Sequence, residues 1–101
     1  MPELQTTEQF DRWFSSLRDV RAKARIDIRL RRLEEGNPGD VKPVGGGVSG
    51  LRLTYGPGYR IYYIGMGDEL IVLLAGGDKS SQPEDIERAR DLAKKIRNDY
   101  E

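Results

Sequence analysis

The sequence predicts an α+β domain in which a helical hairpin and a C-terminal helix pack on one face of a single antiparallel β-sheet. Apolar residues recur at helical spacing in two segments before residue 35 and in one segment after residue 81. Between them, two apolar, tyrosine-rich runs flank Gly56-Pro57-Gly58, which is typical of a β-hairpin. The predicted element order is β-α-α-β-β-β-β-α, and the 101 residues fit one domain.

The first elements are a short strand and two helices joined by a tight turn. Residues 2–5 are compatible with a strand, and Thr6 with Gln9 forms a capping box that predicts a helix start. The apolar face of this helix consists of Phe10, Trp13, Phe14 and Leu17. A second helix, over about 19–35, has its apolar stripe at Ala22, Ile26, Leu30 and Leu33.

Four strands and a helix complete the predicted domain. Residues 41–44 form an edge strand, because Pro43 cannot donate to a ladder, and the glycines 45–47 are expected to be a mobile connector. The hairpin covers 51–64, and the apolar run at 69–76 is a buried strand. Ser81 with Glu84 forms a second capping box. The last helix takes its apolar stripe from Ile86, Ala89, Ala93, Ile96 and Tyr100.

The hairpin carries the most informative charges of the chain. Between residues 41 and 67 the basic residues are Lys42, Arg52 and Arg60, and there is no aspartate or glutamate. Strand alternation places Arg52, Arg60 and Tyr62 on the open face of the sheet. It places Leu51, Leu53, Ile61 and Tyr63 on the core face. A positive face with aromatics is typical of a polyanion-binding surface, although solvated arginines, or arginines paired with a carboxylate, give the same pattern.

The composition restricts the chemistry. The chain has no histidine and no cysteine, so we expect no metal site, no cofactor and no catalysis by the commonest general base. It has 17 basic and 17 acidic residues, but residues 18–32 contain seven basic residues against two acidic ones. Residues 1–5 have neither a basic nor an apolar signal region, so we expect no secretory signal. No apolar run approaches the ~20 residues that span a membrane. We therefore expect a cytoplasmic protein with no membrane partner.

Several segments carry a resemblance to a known family. They are residues 10–14, Arg25-Ile26 with Arg29-Leu30, residues 36–45, 50–53, 55–63 and 73–82. On these segments the chain resembles the RelE/ParE superfamily of toxins from bacterial type II toxin–antitoxin modules, and within it the HigB-like addiction module killer proteins. The resemblance implies a RelE-like fold. It also implies a metal-independent endoribonuclease that cuts mRNA in the A site of the 30S ribosomal subunit and arrests translation.

The resemblance also implies roles for individual residues. Arg60 and Arg52 match basic residues of the family and would neutralise the phosphate in the transition state, and Lys79 would contact phosphate or donate a proton. Tyr62, which strand alternation places on the same face as Arg60, would stack on a base. The residues expected to bind RNA outside the catalytic group are Lys42, Tyr59, Arg25 and Arg29. Some RelE-like toxins have a catalytic tyrosine on the C-terminal helix, and some HigB proteins use a C-terminal histidine. Here residues 82–86 contain no tyrosine and the chain has no histidine, so the general acid and base stay open.

Two other functions remain compatible with the sequence. A ParE-like toxin would inhibit DNA gyrase without cutting RNA, and an inactive remnant would only bind its antitoxin. In each case the resemblance implies a cognate helix-turn-helix antitoxin as partner, with DNA contacted only through that antitoxin. The sequence leaves open the cleavage preference, the dependence on the ribosome and the stoichiometry of the complex.

Overall fold

The computed structural model describes residues 2–100 and has the predicted order of helices and strands. The strands are β1 (Glu3–Thr6), β2 (Val41–Gly45), β3 (Val48–Arg52), β4 (Arg60–Met66) and β5 (Leu70–Gly77). The helices are α1 (Glu8–Ser16), α2 (Val20–Glu34) and α3 (Gln82–Tyr100), and a short 3-10 turn (Lys79–Ser81) precedes α3. The predicted α+β class is confirmed.

The sheet is mixed, not antiparallel. Its strand order is β1-β5-β4-β3-β2, and β1 runs parallel to β5 while every other neighbouring pair is antiparallel. Beyond β1 the chain stays attached to β5, because Thr7 donates from its backbone nitrogen to the oxygen of Leu73 at 3.1 Å and from its hydroxyl to the oxygen of Leu74 at 2.8 Å. Because β1 runs parallel to β5, the prediction of a wholly antiparallel sheet is wrong.

Helices cover both faces of the sheet. The buried residues of α1 and α2 pack with Leu51, Ile61 and Leu73 on one face. Those of α3 pack with Tyr62 and Leu74 on the other. The prediction that all helices share one face is wrong, because successive residues of β4 and β5 are apolar and give both faces a buried surface.

Three local predictions differ from the structure. The N-cap of α1 is Thr7, whose hydroxyl accepts from the backbone nitrogen of Phe10 at 3.1 Å, and not Thr6. Residues 45–47 form the turn of the β2–β3 hairpin with positive φ angles, which glycine adopts without strain, so the predicted connector is a tight hairpin turn. Tyr100 is 63% exposed and does not belong to the apolar stripe of α3.

Candidate functional site

A cavity of about 590 Å³ opens where β3 ends and β4 begins. The loop between the two strands lines it together with four charged side chains, Asp40, Arg52, Arg60 and Lys79. We refer to it as the basic cavity. Three of the four residues that the sequence predicts to be catalytic meet here, Arg52 and Arg60 from one hairpin and Lys79 from the turn after β5.

Arg60 is the most buried of the four, with 7% of its surface exposed. Its Nη1 donates to the backbone oxygens of Gly58 at 3.1 Å and Tyr59 at 3.0 Å. Its Nε is buried and has no hydrogen-bond partner among residues 2–100. A buried guanidinium with an unpaired donor costs free energy unless a ligand completes its hydrogen bonds. Arg60 is therefore a buried arginine that is fixed by backbone oxygens, and not a solvated surface residue.

Arg52 lies directly opposite Arg60 in the register of β3 and β4. Its Nη2 and Nε donate to Oδ1 of Asp40 at 2.8 and 3.2 Å. Of the alternatives that the sequence left open, pairing with a carboxylate is found for Arg52, and the carboxylate is that of Asp40, directly before β2. The hydrogen bond from Arg52 holds the pKa of Asp40 below its ordinary value, so this carboxylate is ionised at neutral pH.

Arg29 of α2 supports the backbone around this ion pair. Its Nη1 donates to the backbone oxygen of Arg52 at 2.7 Å, and its Nη2 donates to those of Pro38 and Asp40 at 3.1 and 3.3 Å. Because these bonds direct its guanidinium at the protein itself, the geometry does not favour the RNA-binding role predicted for Arg29. It favours a bracing role, in which Arg29 keeps Asp40 beside Arg52.

Lys79 is exposed at the edge of the basic cavity, in the 3-10 turn after β5. Oδ1 of Asp78 fixes this turn by accepting from the backbone nitrogen of Ser80 at 2.8 Å and from its hydroxyl at 2.5 Å. The β3–β4 loop lies against the lysine stem, since a Cβ atom at Gly58 would be 3.0 Å from Cγ of Lys79. Gly58 also has a φ of +81°, which favours glycine there.

Tyr62 lies outside the basic cavity. Its side chain is fully buried in the cluster beneath α3, and its ring lies over Gly50, the residue opposite it in β3. The prediction of Tyr62 on an open face is wrong because α3 covers that face. Its hydroxyl is buried and has no hydrogen-bond partner among residues 2–100, and burial raises the pKa of Tyr62 to about 12.

We expect Tyr62→Phe to raise the free energy of unfolding by about 1 kcal/mol, because it removes a buried hydroxyl that has lost water and gained no partner. Urea titration at pH 7 measures the change. A lower free energy of unfolding in the variant would show that the hydroxyl is hydrogen-bonded.

The same variant has a pH signature. The pKa of Tyr62 is raised in the folded protein above the ordinary value of about 10. The folded state therefore holds the proton longer than the unfolded state, and stability falls as the pH rises from about 10 to 12. Tyr62→Phe removes this contribution, so the variant should lose less stability than the wild type between pH 9 and pH 11. Equal losses would contradict the raised pKa.

Two residues predicted to bind RNA also lie outside the basic cavity. Tyr59 is 8% exposed and packs edge-on against Trp13, with ring centroids 6.2 Å apart, so its burial does not favour the predicted RNA-binding role. Lys42 is exposed on β2, where it pairs with Gly50. It lies close enough to Asp40 to help lower the pKa of that carboxyl, so it adds to the positive charge near the cavity.

Arg25 lines a second, smaller cavity of about 260 Å³ on α2. Its guanidinium stacks on the ring of Tyr55, 4.5 Å from the ring centroid, and the Tyr55 hydroxyl donates to Oδ2 of Asp19 at 3.2 Å. The two cavities share Leu53 and Thr54 in their walls. Arg25 is therefore a neighbour of the basic cavity and not part of it.

Residues 2–100 contain no group of three or more acidic side chains placed to hold a metal ion. Over the same range, none of the helices is both long enough and apolar enough to cross a membrane. The charged groups that line the basic cavity are those of two arginines, a lysine and a carboxylate.

Comparison with known proteins identifies a relative. No protein-family model matches the chain. A protein of Haemophilus influenzae, known only as an uncharacterized protein, is 46% identical over 94 residues, which are 93% of this chain and 95% of the relative. Such identity over nearly the whole of both chains shows common descent, and the chain belongs to the same family as this Haemophilus influenzae protein.

Proposed function

We propose that this protein is the toxin of a type II toxin–antitoxin module, a metal-independent endoribonuclease with a RelE-like fold that cleaves mRNA in the ribosomal A site. The observation that carries the proposal is the meeting of Arg52, Arg60 and Lys79 in one cavity. Three cations against the single carboxylate of Asp40 give a site suited to an anion. The segments that resemble the HigB-like toxins supply the class of anion, which is RNA.

The reaction needs little covalent chemistry from the protein. In metal-independent cleavage, the 2′-oxygen of a ribose attacks the adjacent phosphorus, negative charge grows on the phosphate oxygens, and the 5′-oxygen leaves. Arg60 is held by two backbone oxygens, so it can face the phosphate without reorganising during the reaction. Arg52 adds a second planar donor from the opposite strand, and arginine binds phosphate oxygens through paired hydrogen bonds.

Lys79 is the proposed proton donor to the leaving 5′-oxygen. It is exposed at the edge of the cavity, and its flexible stem lies against Gly58 of the β3–β4 loop. From this position its ammonium group donates a proton to the 5′-oxygen or contacts the neighbouring phosphate. The proposed partner of the toxin is a helix-turn-helix antitoxin, which would block the basic cavity or keep it away from the ribosome.

Mapping of mRNA 5′ ends after brief induction in bacterial cells tests the proposal. We expect new 5′-hydroxyl ends inside translated mRNAs within minutes. Arg52→Gln should reduce them at least about tenfold, because one charge-assisted hydrogen bond to phosphate contributes about 1.5–3 kcal/mol. Arg31→Gln is the matched control, since Arg31 is exposed on α2 and does not line the basic cavity.

Two other results of the induction experiment would each indicate a different function. Growth arrest with unchanged mRNA ends and inhibited DNA supercoiling would replace the ribonuclease with a gyrase-directed toxin. Absence of growth arrest from a folded protein at full expression would indicate an inactive antitoxin-binding remnant.

A further inference from the structure

The basic cavity contains one carboxylate among the residues that line it, Asp40. Both hydrogen bonds from Arg52 go to Oδ1 of this carboxylate. Oδ2 receives no hydrogen bond from residues 2–100, and the Asp40 side chain is 44% exposed. One oxygen of Asp40 is therefore fixed by an arginine, and the other has no hydrogen bond in a half-exposed side chain that lines the cavity.

The proposed reaction needs a group that accepts the proton of the 2′-hydroxyl. The chain has no histidine, and reference pKa values near 10 make lysine and tyrosine poor acceptors at neutral pH. Arginine is always protonated. Among the side chains that line the basic cavity, a carboxylate is the group that is unprotonated at pH 7 and able to take a proton.

We propose that Asp40 is the general base of the cleavage reaction, an assignment that rests on the proposed function. Its Oδ2 takes the proton from the 2′-hydroxyl while the 2′-oxygen forms a bond to the adjacent phosphorus. The bond from phosphorus to the 5′-oxygen breaks, and that oxygen takes a proton from the Lys79 ammonium group. The products are a 2′,3′-cyclic phosphate and a 5′-hydroxyl, and exchange with water restores Asp40 and Lys79.

The surroundings of Asp40 fit this role. Arg52 orients the carboxylate, and Arg29 holds the backbone of both residues. The cations that face the carboxylate are Arg52, Arg29 and Lys42, with Arg60 and Lys79 across the cavity. The carboxylate thus stays ionised in the resting site, with its Oδ1 fixed by Nε and Nη2 of Arg52. The lowered pKa of Asp40 makes it a weaker base than a free aspartate, so its contribution is expected at the lower end of the range for general base catalysis.

The test is single-turnover cleavage of mRNA on programmed ribosomes by the wild type, Asp40→Asn and Asp40→Glu. Asp40→Asn should cleave about 100-fold more slowly at saturating protein, the lower end of what general base catalysis contributes. Its affinity for a short 2′-O-methyl RNA, which lacks the nucleophile, should equal or exceed that of the wild type, because a negative charge has been removed. Asp40→Glu should recover part of the rate.

Three results overturn the assignment. Wild-type cleavage by a folded Asp40→Asn variant would show that the carboxylate takes no proton. A loss of rate that saturating protein restores would show that Asp40 acts only in binding. Wild-type protein that leaves the RNA intact would overturn the proposed function itself and this assignment with it, whereas the first two results would leave the proposed function standing.

Discussion

Gly76→Ala is expected to lower the free energy of unfolding by about 3 kcal/mol or more, at or above the upper end of the usual cost of overpacking a core. A Cβ atom at Gly76 would overlap the indole of Trp13, which packs on this face of β5 and also contacts Phe10 and Tyr59. The indole cannot move away without disturbing those rings. In a domain of this size, such a loss lowers the midpoint of thermal unfolding by more than 10 °C, which calorimetry measures.

Gly65→Ala is the matched control. Gly65 is also in a strand, has no positive φ, and a Cβ atom there would meet only a backbone oxygen 3.9 Å away. We expect it to change stability by less than about 1 kcal/mol. Trp13→Leu should relieve the overlap, so Gly76→Ala should cost less in that background than in the wild type. Equal costs in both backgrounds would show that the indole is not the cause.

The glycines that end β5 explain why the layering of the fold was hard to predict. Gly76 lets the indole of α1 approach one face, and Gly77 lets the Asp85 carboxylate of α3 approach the other, since a Cβ atom at Gly77 would overlap Oδ2 of Asp85. In sequence, two adjacent glycines indicate a turn. Their role in letting helices approach both faces depends on contacts distant in the chain, which no local pattern records.

Strand alternation predicted which residues share a face but not what covers that face. Arg52, Arg60 and Tyr62 do alternate with the core residues Leu51 and Ile61. The apolar stripe of α3 was recognised as well, yet local periodicity does not say to which face the chain returns after β5. Arg52 and Arg60, at the ends of their strands, line the basic cavity, whereas Tyr62, further along β4, lies beneath α3.

Local sequence predicts only some of the residues that line the basic cavity. A hairpin places Arg52 opposite Arg60 whatever the rest of the chain does, so their proximity follows from local sequence. Asp40 comes directly before the acid-free segment and reaches Arg52 only through the pairing of β2 with β3. Arg29 reaches the same place from α2. A helix-capping or strand pattern in the sequence carries no information on contacts between residues that are far apart along the chain.

Arg60→Lys is expected to reduce single-turnover cleavage of ribosome-bound mRNA about 1,000-fold, if Arg60 neutralises the transition state as proposed. Lysine keeps the charge but loses the planar guanidinium, whose Nη1 binds the backbone oxygens of Gly58 and Tyr59. It also loses the fork geometry with which arginine binds phosphate oxygens. Removing one preorganised donor costs about 100- to 1,000-fold in comparable sites, and arginines that stabilise phosphoryl transfer contribute about 1,000-fold or more.

The variant also leaves the Gly58 oxygen without its arginine donor, so a stability loss of about 1–2 kcal/mol is expected and must be measured beside the rate. Assays well below the unfolding midpoint keep the protein folded and separate the two effects. Arg88→Lys is the matched control, because Arg88 is exposed on α3 and lines no part of the basic cavity. A folded Arg60→Lys protein that cleaves within tenfold of the wild type would remove Arg60 from the reaction, and the buried, unpaired Nε would then require a structural explanation.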